Sequence, residues 1–151
     1  MKIILQKINY CNLSVENEIV SKVNYGLLIT IGVHRDDTIE DAKYLAHKVA
    51  NLRMFKDEND KINLSIKDIK GECLVVSNFS IEAQIQSGTR PNFSRCADFE
   101  KANDLYLKFG ELLNSEGVEV VKYGKFRHHM HLHTELDGPF TLILHTGKEG
   151  E

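Results

Sequence analysis

GLLITIGVHRDDTIEDAKYLAHKVAN, residues 26–51, combines a strand pattern with a helix pattern and decides the fold class. Residues 26–33 are rich in Leu, Ile, Thr and Val, a composition that favours a buried strand. Residues 38–51 change to helical spacing, because apolar side chains recur on one face every three or four residues. Thr38, followed three residues later by Asp41, resembles a capping box and predicts where this helix begins.

The remainder of the chain adds short strand patterns and one further helix pattern. Residues 99–115 carry an apolar stripe at helical spacing, and Gly117 is expected to end this second helix. The strand-like segments are 3–5, 19–20, 52–55, 73–76, 118–121, 130–134 and 140–145. Two helices among many short strands predict an α+β fold with a mainly antiparallel, barrel-like sheet. No repeat or linker divides the chain, so we expect a single domain over residues 1–151.

Composition and charge exclude several classes of protein. The 151 residues are 42% hydrophobic and 27% charged, which excludes a disordered or collagen-like chain. The net charge of −3 argues against a uniformly basic nucleic-acid-binding protein, but it leaves room for a local basic patch. No apolar run approaches the roughly 18 residues of a membrane span, so we expect no membrane partner. Cys11, Cys73 and Cys96 show no CxxC spacing, which indicates reduced thiols in a cytoplasmic protein.

A histidine-rich segment is the first candidate for chemistry. His129, His131 and His133 would project from one face of a strand, because alternate residues of a strand share a face. Three neutral imidazoles can bind Zn²⁺ and leave its fourth position open for water. The alternative is a strand that is rich in histidine but binds no ligand, since neighbouring Cβ atoms on one strand face are about 7 Å apart.

The second candidate is the polar segment Ser77, Asn78, Phe79 and Ser80, which follows the apolar strand 73–76. A serine hydroxyl becomes a nucleophile where a base such as histidine reaches it. The segment lacks the GxSxG pattern of a nucleophile elbow. Two other interpretations stay open: backbone N–H groups at the strand end that form an oxyanion hole, or a polar turn without a catalytic role.

Two further segments carry groups suited to a ligand. Gly138–Pro139 predicts a turn between strands, and a rigid turn of this kind is able to present its carbonyl oxygens to a ligand. In the loop 87–93, Arg90 offers a guanidinium group for a carboxylate or phosphate, and Phe93 offers a ring for stacking. The alternative for Arg90 is a solvated loop residue.

Taken in order along the chain, these motifs resemble those of the D-aminoacyl-tRNA deacylases, also called D-tyrosyl-tRNA deacylases. The resemblance covers nearly the whole chain, and so many short motifs in register are not expected by chance. The matching segments are ILQK at 4–7, GLL at 26–28, LRMF at 52–55, NLS at 63–65, LVVS at 74–77, GTRP at 88–91 and GPFTLIL at 138–144.

The resemblance implies a homodimer that hydrolyses the ester of D-aminoacyl-tRNA, and glycyl-tRNA on a non-cognate tRNA is a further expected substrate. It implies no metal or cofactor, with the substrate's own 2′-hydroxyl helping to activate water. The implied catalytic residues are Ser77, Asn78, Phe79 and Ser80, where the family has Ser-Gln-Phe-Thr. The implied residues for substrate binding and chiral selection are Gly138, Pro139, Met130, Arg90 and Phe93. In the family, the Gly-Pro pair enters the pocket of the opposite subunit and rejects L-amino acids.

Several residues around this site depart from the family pattern. Asn78 replaces Gln, Ser80 replaces Thr, and Leu136 stands where Asn is usual. The histidines of the strand before Leu136 are also atypical. Two alternatives therefore stay open: a divergent hydrolase of the same fold that uses a metal or its histidines, and a relative that binds tRNA without catalysis.

Overall fold

The computed structural model describes residues 1–147, which form eight β-strands and two α-helices. In chain order these are β1 (Lys2–Val15), β2 (Glu18–Val23), β3 (Gly26–Gly32), α1 (Ile39–Asn51), β4 (Arg53–Lys56), β5 (Ile62–Ser65), β6 (Glu72–Ser77), α2 (Phe99–Ser115), β7 (Val120–Tyr123) and β8 (His131–His145). A short 3₁₀ helix, Phe79–Glu82, follows β6. Residues 148–151 of the predicted domain lie outside the described residues, and the single domain stays a prediction.

β1 is the strand on which the sheet is assembled. Its first half pairs with β3 and its second half with β2, and β8 pairs along its other edge, all antiparallel. β3 pairs in parallel with β6, and β6 in parallel with β7. The hydroxyl of Ser21 in β2 donates to the carbonyl oxygen of Tyr123 in β7 at 2.5 Å, so the curled sheet nearly closes. The predicted α+β fold with a barrel-like, mainly antiparallel sheet is confirmed.

Buried side chains form two clusters, one on each face of the sheet. The larger cluster lies between the sheet and the two helices and includes Ile3, Leu5, Leu27, Ile29, Cys73, Val75, Leu45, Val49, Tyr106 and Phe109. The smaller cluster lies inside the curled part of the sheet and consists of Ile8, Cys11, Leu13, Val15, Val23, Leu28, Leu74 and Val76. Burial of each large apolar side chain stabilises the fold by about 1.5–3 kcal/mol. Alternate residues of β3 and β6 therefore serve both clusters.

Both helices begin at the positions that the sequence predicts. The backbone N–H of Thr38 donates to the carboxylate of Asp41 at 2.7 Å, and the full capping box is present. The carboxylate of Asp98 accepts from the backbone N–H of Lys101 at 2.9 Å and caps α2. No helix in the described part of the chain is long and apolar enough to cross a membrane.

Several strand predictions were too short, and two elements were missed. β1 has 14 residues where three were predicted, because the prediction rested on the continuous apolar run 3–5 and overlooked the alternation of polar and buried residues that follows it. The predicted strands 130–134 and 140–145 are one strand, β8, with a register irregularity around residue 138. β5 and the 3₁₀ helix Phe79–Glu82 were not predicted, since both are short and largely polar or exposed.

We predict that Gly26→Ala destabilises the fold by about 1–3 kcal/mol, the usual range for overpacking. A Cβ at Gly26 would overlap the backbone of Glu72, its partner in the parallel pairing of β3 with β6. Urea unfolding followed by circular dichroism measures the change. Gly147→Ala is the matched control, because a Cβ at Gly147 meets no atom of residues 1–147 within 4 Å. Equal midpoints for the two variants would contradict the close approach of β3 and β6.

Candidate active site

The segment after β6 turns sharply and exposes its backbone. Ser77 is the last residue of β6 and pairs with Ile31 of β3, and the N–H of Asn78 donates to the carbonyl oxygen of Ile31 at 2.8 Å. The 3₁₀ helix begins at Phe79, whose side chain is 59% exposed. Within residues 1–147 the N–H of Phe79 has no hydrogen-bond acceptor. A backbone donor therefore stands unused at the carboxyl end of a buried strand.

Asn78 and Ser80 are hydrogen-bonded to each other. The side-chain oxygen of Asn78 accepts from the N–H of Ser80 at 3.1 Å and from its hydroxyl at 2.5 Å. In the described part of the chain, neither a histidine nor a carboxylate is hydrogen-bonded to the hydroxyl of Ser77 or Ser80. The geometry lacks the base that a nucleophilic serine requires. These side chains instead hold the turn that presents the Phe79 N–H.

Two exposed phenylalanines form a wall beside this turn. The rings of Phe79 and Phe93 meet edge to face, with centroids 5.0 Å apart and planes at 67°. Gln84 and Asn92 exchange backbone hydrogen bonds of 2.8 and 3.0 Å, which closes the loop between them and returns the chain to Phe93. Arg90 lies exposed in this loop. The structure therefore brings Phe93 to residues 77–80, and it leaves Arg90 in solvent.

Gly138–Pro139 lies in a different part of the sheet. The peptide bond between these residues is cis, and both residues are exposed. They bulge from β8 opposite Lys7 of β1. Lys7 pairs with Leu27 of β3, and Leu27 pairs with Cys73 of β6. Ser77 is four residues further along β6. The path from the bulge to Ser77 thus crosses three strand spacings, about 14 Å, and runs about 13 Å along β6.

Lys7 supports this bulge, although it was not among the residues predicted for the site. Its side chain is only 9% exposed, and Nζ lies 3.4 Å from the carboxylate of Asp137. The same Nζ lies 5.7 Å from the ring centroid of Phe140 and 5.8 Å from that of Phe55. Lys7 therefore contacts residues on both sides of Gly138–Pro139. The sequence did contain a signal for this role: in the alternation of Ile3, Leu5 and Lys7, a lysine occupies a position that faces the core.

Met130 packs against the face of β6 that lies inside the curled sheet. Its sulfur accepts from the N–H of Lys125 at 3.4 Å, and its side chain contacts the cluster that includes Val76. A Cβ at Gly124 would lie 2.7 Å from this sulfur and 3.7 Å from Val76. Met130 is thus close to the residue that precedes Ser77, although it lies beneath the sheet surface.

The histidine-rich strand does not assemble a metal site. The rings of His129 and His131 have centroids 4.9 Å apart, whereas His133 lies instead beside Tyr10, with centroids 6.0 Å apart. Within residues 1–147 no three His, Cys, Asp or Glu side chains are grouped closely enough to hold a metal ion. His129 precedes β8, which begins at His131, so the expected row of three on one strand is not formed.

A cleft of about 770 Å³ lies next to the 3₁₀ helix but does not include residues 77–80. Its lining comes from the segment 34–37, the end of the 3₁₀ helix and residues 145–147. Cys96 lies close by, with its sulfur 3.4 Å from the carbonyl oxygen of Phe79. Burial and, to a smaller extent, the carboxylate of Glu82 raise the pKa of the Cys96 thiol. A raised pKa keeps this thiol protonated at neutral pH and makes it a poor nucleophile.

The comparisons with known proteins agree along the whole chain. A family model described as D-Tyr-tRNA(Tyr) deacylase matches residues 4–145. The D-aminoacyl-tRNA deacylase of Thermotoga petrophila is 45% identical over 148 residues, covering 98% of this chain and 99% of the relative. That of Alkaliphilus metalliredigens is 43% identical over the same shares. The chain belongs to the D-Tyr-tRNA(Tyr) deacylase family.

Solved structures extend the family likeness to three dimensions. The c-Myc DNA Unwinding Element Binding Protein superimposes with a TM-score of 0.92 at 31% identity, covering 98% of this chain and all of that one. A structure described as "a probable eukaryotic D-amino acid tRNA deacylase" has a TM-score of 0.79 at 18% identity, covering 95% of this chain and 97% of that one. The second likeness shows the fold alone. The D-Tyr-tRNA(Tyr) deacylase family resemblance found in the sequence is thus confirmed.

We predict that alkylation of Cys96 in this family member has its half-maximal rate at a pH above that of a free cysteine, about 8.5. The raised pKa lowers the thiolate fraction at every pH below it, and the thiolate is the reactive form. Iodoacetamide labelling of the folded protein between pH 7 and 10 measures the midpoint. Cys96→Ser is the control for labelling of Cys11 and Cys73, which are buried. A midpoint below 8 would show an activated thiol and contradict the geometry.

Proposed function

We propose that this protein hydrolyses the ester bond of D-aminoacyl-tRNA at residues 77–80 and releases a D-amino acid and free tRNA. Membership of the family and the names of the relatives support this reaction. The observation that carries the site is the unused N–H of Phe79, presented by a turn whose polar side chains bond to each other. Because aminoacyl-tRNA is made and used in the cytoplasm, we also propose a cytoplasmic location.

The proposed chemistry needs no side-chain nucleophile. Water attacks the ester carbonyl carbon, and the carbonyl oxygen takes up negative charge in the tetrahedral intermediate. The Phe79 N–H donates to this oxygen, as in an oxyanion hole, where one donor is worth about 3–4 kcal/mol. The bond to the ribose 3′-oxygen then breaks, one proton of the water reaches that oxygen, and the other is released to solvent as the D-amino acid leaves as a carboxylate. The 2′-hydroxyl next to the leaving oxygen is the nearest group to relay the first of these protons.

Chiral selection is proposed to come from a second copy of the chain. Gly138–Pro139 lies far from Ser77 along the sheet of its own chain, yet it is exposed and supported from beneath by Lys7. A two-fold dimer would bring the partner subunit's Gly138 and the partner subunit's Pro139 to the turn at Phe79. A rigid backbone wall at that position blocks the side chain of an L-amino acid and leaves room for that of a D-amino acid.

The surface between these segments has the character of a subunit interface. Ile143 of β8 is 64% exposed, and Leu136, Phe79 and Phe93 are each more than 40% exposed. Ile143 pairs with Ile4, which pairs with Thr30 of β3, so two isoleucines and a threonine form a row across three strands. Exposed apolar surface of this kind marks interaction sites. We propose that a second copy covers it and completes the active site.

The same backbone wall would admit a glycine ester. An ester of glycine has hydrogen atoms at both α-positions, so a wall that excludes only an L side chain does not exclude it. We therefore propose glycyl-tRNA as a second substrate. The competing idea of a relative that binds tRNA without catalysis predicts binding of both enantiomers with no turnover, which the same assays would reveal.

Ser80→Ala is expected to retain activity within about tenfold of the wild type, whereas Gly138→Ala should lose at least 100-fold. Removal of the Ser80 hydroxyl deletes one hydrogen bond in the turn, worth about 1 kcal/mol. Gly138 has φ = +126°, and a Cβ there would lie 2.7 Å from the N of Phe140, so alanine displaces the bulge. Hydrolysis of D- and L-tyrosyl-tRNA is measured for each variant, with Gly147→Ala as control. Full loss with Ser80→Ala would instead indicate a serine nucleophile.

Mixing two inactive variants tests the cross-subunit site. One variant carries Gly138→Ala, and the other carries Phe79→Pro, which removes the proposed oxyanion donor. If each site combines the Phe79 turn of one subunit with the partner's Gly138, half of the sites in a heterodimer are intact. An equimolar mixture, refolded together, should then recover about a quarter of wild-type activity. A mixture as inactive as the two separate variants would place both segments in one chain's site.

A further inference from the structure

A stretch of the chain beside the candidate site is basic although the protein is acidic. Residues 120–134 contain Lys122, Lys125 and Arg127, four of the seven histidines and none of the 22 acidic residues. All seven of these basic and histidine side chains are exposed. The remainder of the chain therefore carries more negative charge than the net value of −3 suggests. A local concentration of cations and imidazoles on an acidic protein requires a separate explanation.

The sheet topology places Lys22 of β2 beside this stretch. Asn12 of β1 pairs with Lys22 of β2 on one side and with His133 of β8 on the other, so the three side chains share the outer face of the sheet. The ammonium group of Lys122 donates to the carbonyl oxygen of Lys22 at 2.7 Å, which joins β7 to the same surface. We call the surface formed by Lys22, Lys122, Lys125, Arg127, His129, His131 and His133 the basic face.

The basic face also presents aromatic rings. His129 and His131 are in edge-to-face contact, and His133 lies beside Tyr10. Arg127 stacks on Phe99, with its guanidinium carbon 3.7 Å from the ring centroid. Exposed rings between cations are the combination that RNA-binding surfaces use, because bases and riboses stack on the rings while the cations bind phosphates.

Its position relates the basic face to the candidate site. The N–H of Gly124 donates to the carbonyl oxygen of Val75 at 3.0 Å, so the chain leaves β7 alongside the end of β6. Met130, which precedes the face's strand, packs close to Val76, the neighbour of Ser77. An ester bound at Phe79 is attached to the 3′ end of a tRNA, and the phosphates that follow must pass over the nearby surface.

We infer that the basic face binds the sugar–phosphate backbone of the tRNA acceptor end. Two acidic residues flank the stretch in sequence: Glu135 accepts from the side-chain amide of Asn9 at 2.5 Å, and Glu119 precedes β7. Glu18 of β2 and Glu100, which follows Phe99, are further acidic residues beside the basic face. Acceptor-stem phosphates complement the cations that remain. This inference rests on the proposed function for the orientation of the tRNA, but the binding itself can be measured without turnover.

The test compares two triple variants of the full chain. Lys22→Ala, Lys125→Ala and His133→Ala remove two lysines and one histidine from the basic face. Lys61→Ala, Lys108→Ala and His47→Ala remove the same residue types from exposed positions just before β5 and on the two helices. Fluorescence anisotropy gives the Kd for uncharged tRNA between 50 and 200 mM salt. Hydrolysis of the D-tyrosyl ester of adenosine, which has no phosphate, reports on the active site alone.

The basic-face variant should bind tRNA about tenfold more weakly, and the slope of log K against log salt should fall by about 1.5–2, because each phosphate contact contributes about 0.9. The control variant should bind like the wild type, and all three proteins should hydrolyse the adenosine ester at equal rates. Equal tRNA affinity and salt slope for both variants would overturn the inference. If the basic-face variant binds tRNA more weakly but the wild type hydrolyses neither D-tyrosyl-tRNA nor the adenosine ester, the inference about the basic face is supported and the proposed function is rejected.

Discussion

The register shift in the middle of β1 is the constraint on which the remainder of the structure depends. Gln6 pairs with Thr141 and Ile8 pairs with Leu136, so four residues of β8 lie opposite the single residue Lys7. Before the shift β1 buries its side chains against the helices, and after it β1 buries them inside the curled sheet. This shift extrudes the segment that carries Gly138–Pro139, and together with a second shift between Ile8 and Tyr10 it bends the sheet toward a barrel.

Lys7 makes this irregularity specific. A lysine that is 9% exposed must have a partner, and Asp137 is within the bulge that the shift creates. The rings of Phe55 and Phe140 add cation–π contacts from both sides. A shift of β8 by one residue would move Asp137 away from Lys7 and leave a buried charge unpaired, which is expensive. The ion pair thus fixes the position of the bulge along β1 and, with it, the place where the Gly-Pro backbone emerges.

The sequence predicts the parts of the fold that have dense apolar patterns and misses the parts that do not. Both helices, β3 and β6 were predicted nearly to the residue, because each buries a continuous face. β1 was predicted over only three of its residues and β8 as two fragments, since half of their residues face solvent and residues 137–140 interrupt β8. Residues 77–80 and Gly138–Pro139 were candidates from their residue types alone, but their roles in catalysis and chiral selection were predicted only through the family resemblance. That these two segments lie far apart in one chain depends on strand order, which no local pattern specifies.

The departures from the family pattern have a structural meaning that the sequence could not supply. Asn78 is one methylene shorter than the usual glutamine, yet its side chain is used within the turn, where it bonds to the N–H and the hydroxyl of Ser80. A serine in place of threonine preserves that hydroxyl. Both replacements therefore change how the turn is supported and leave the backbone N–H of Phe79 available. If selection and rate depend on backbone rather than on reactive side chains, then the side chains around the site are free to vary as long as the turn keeps its shape.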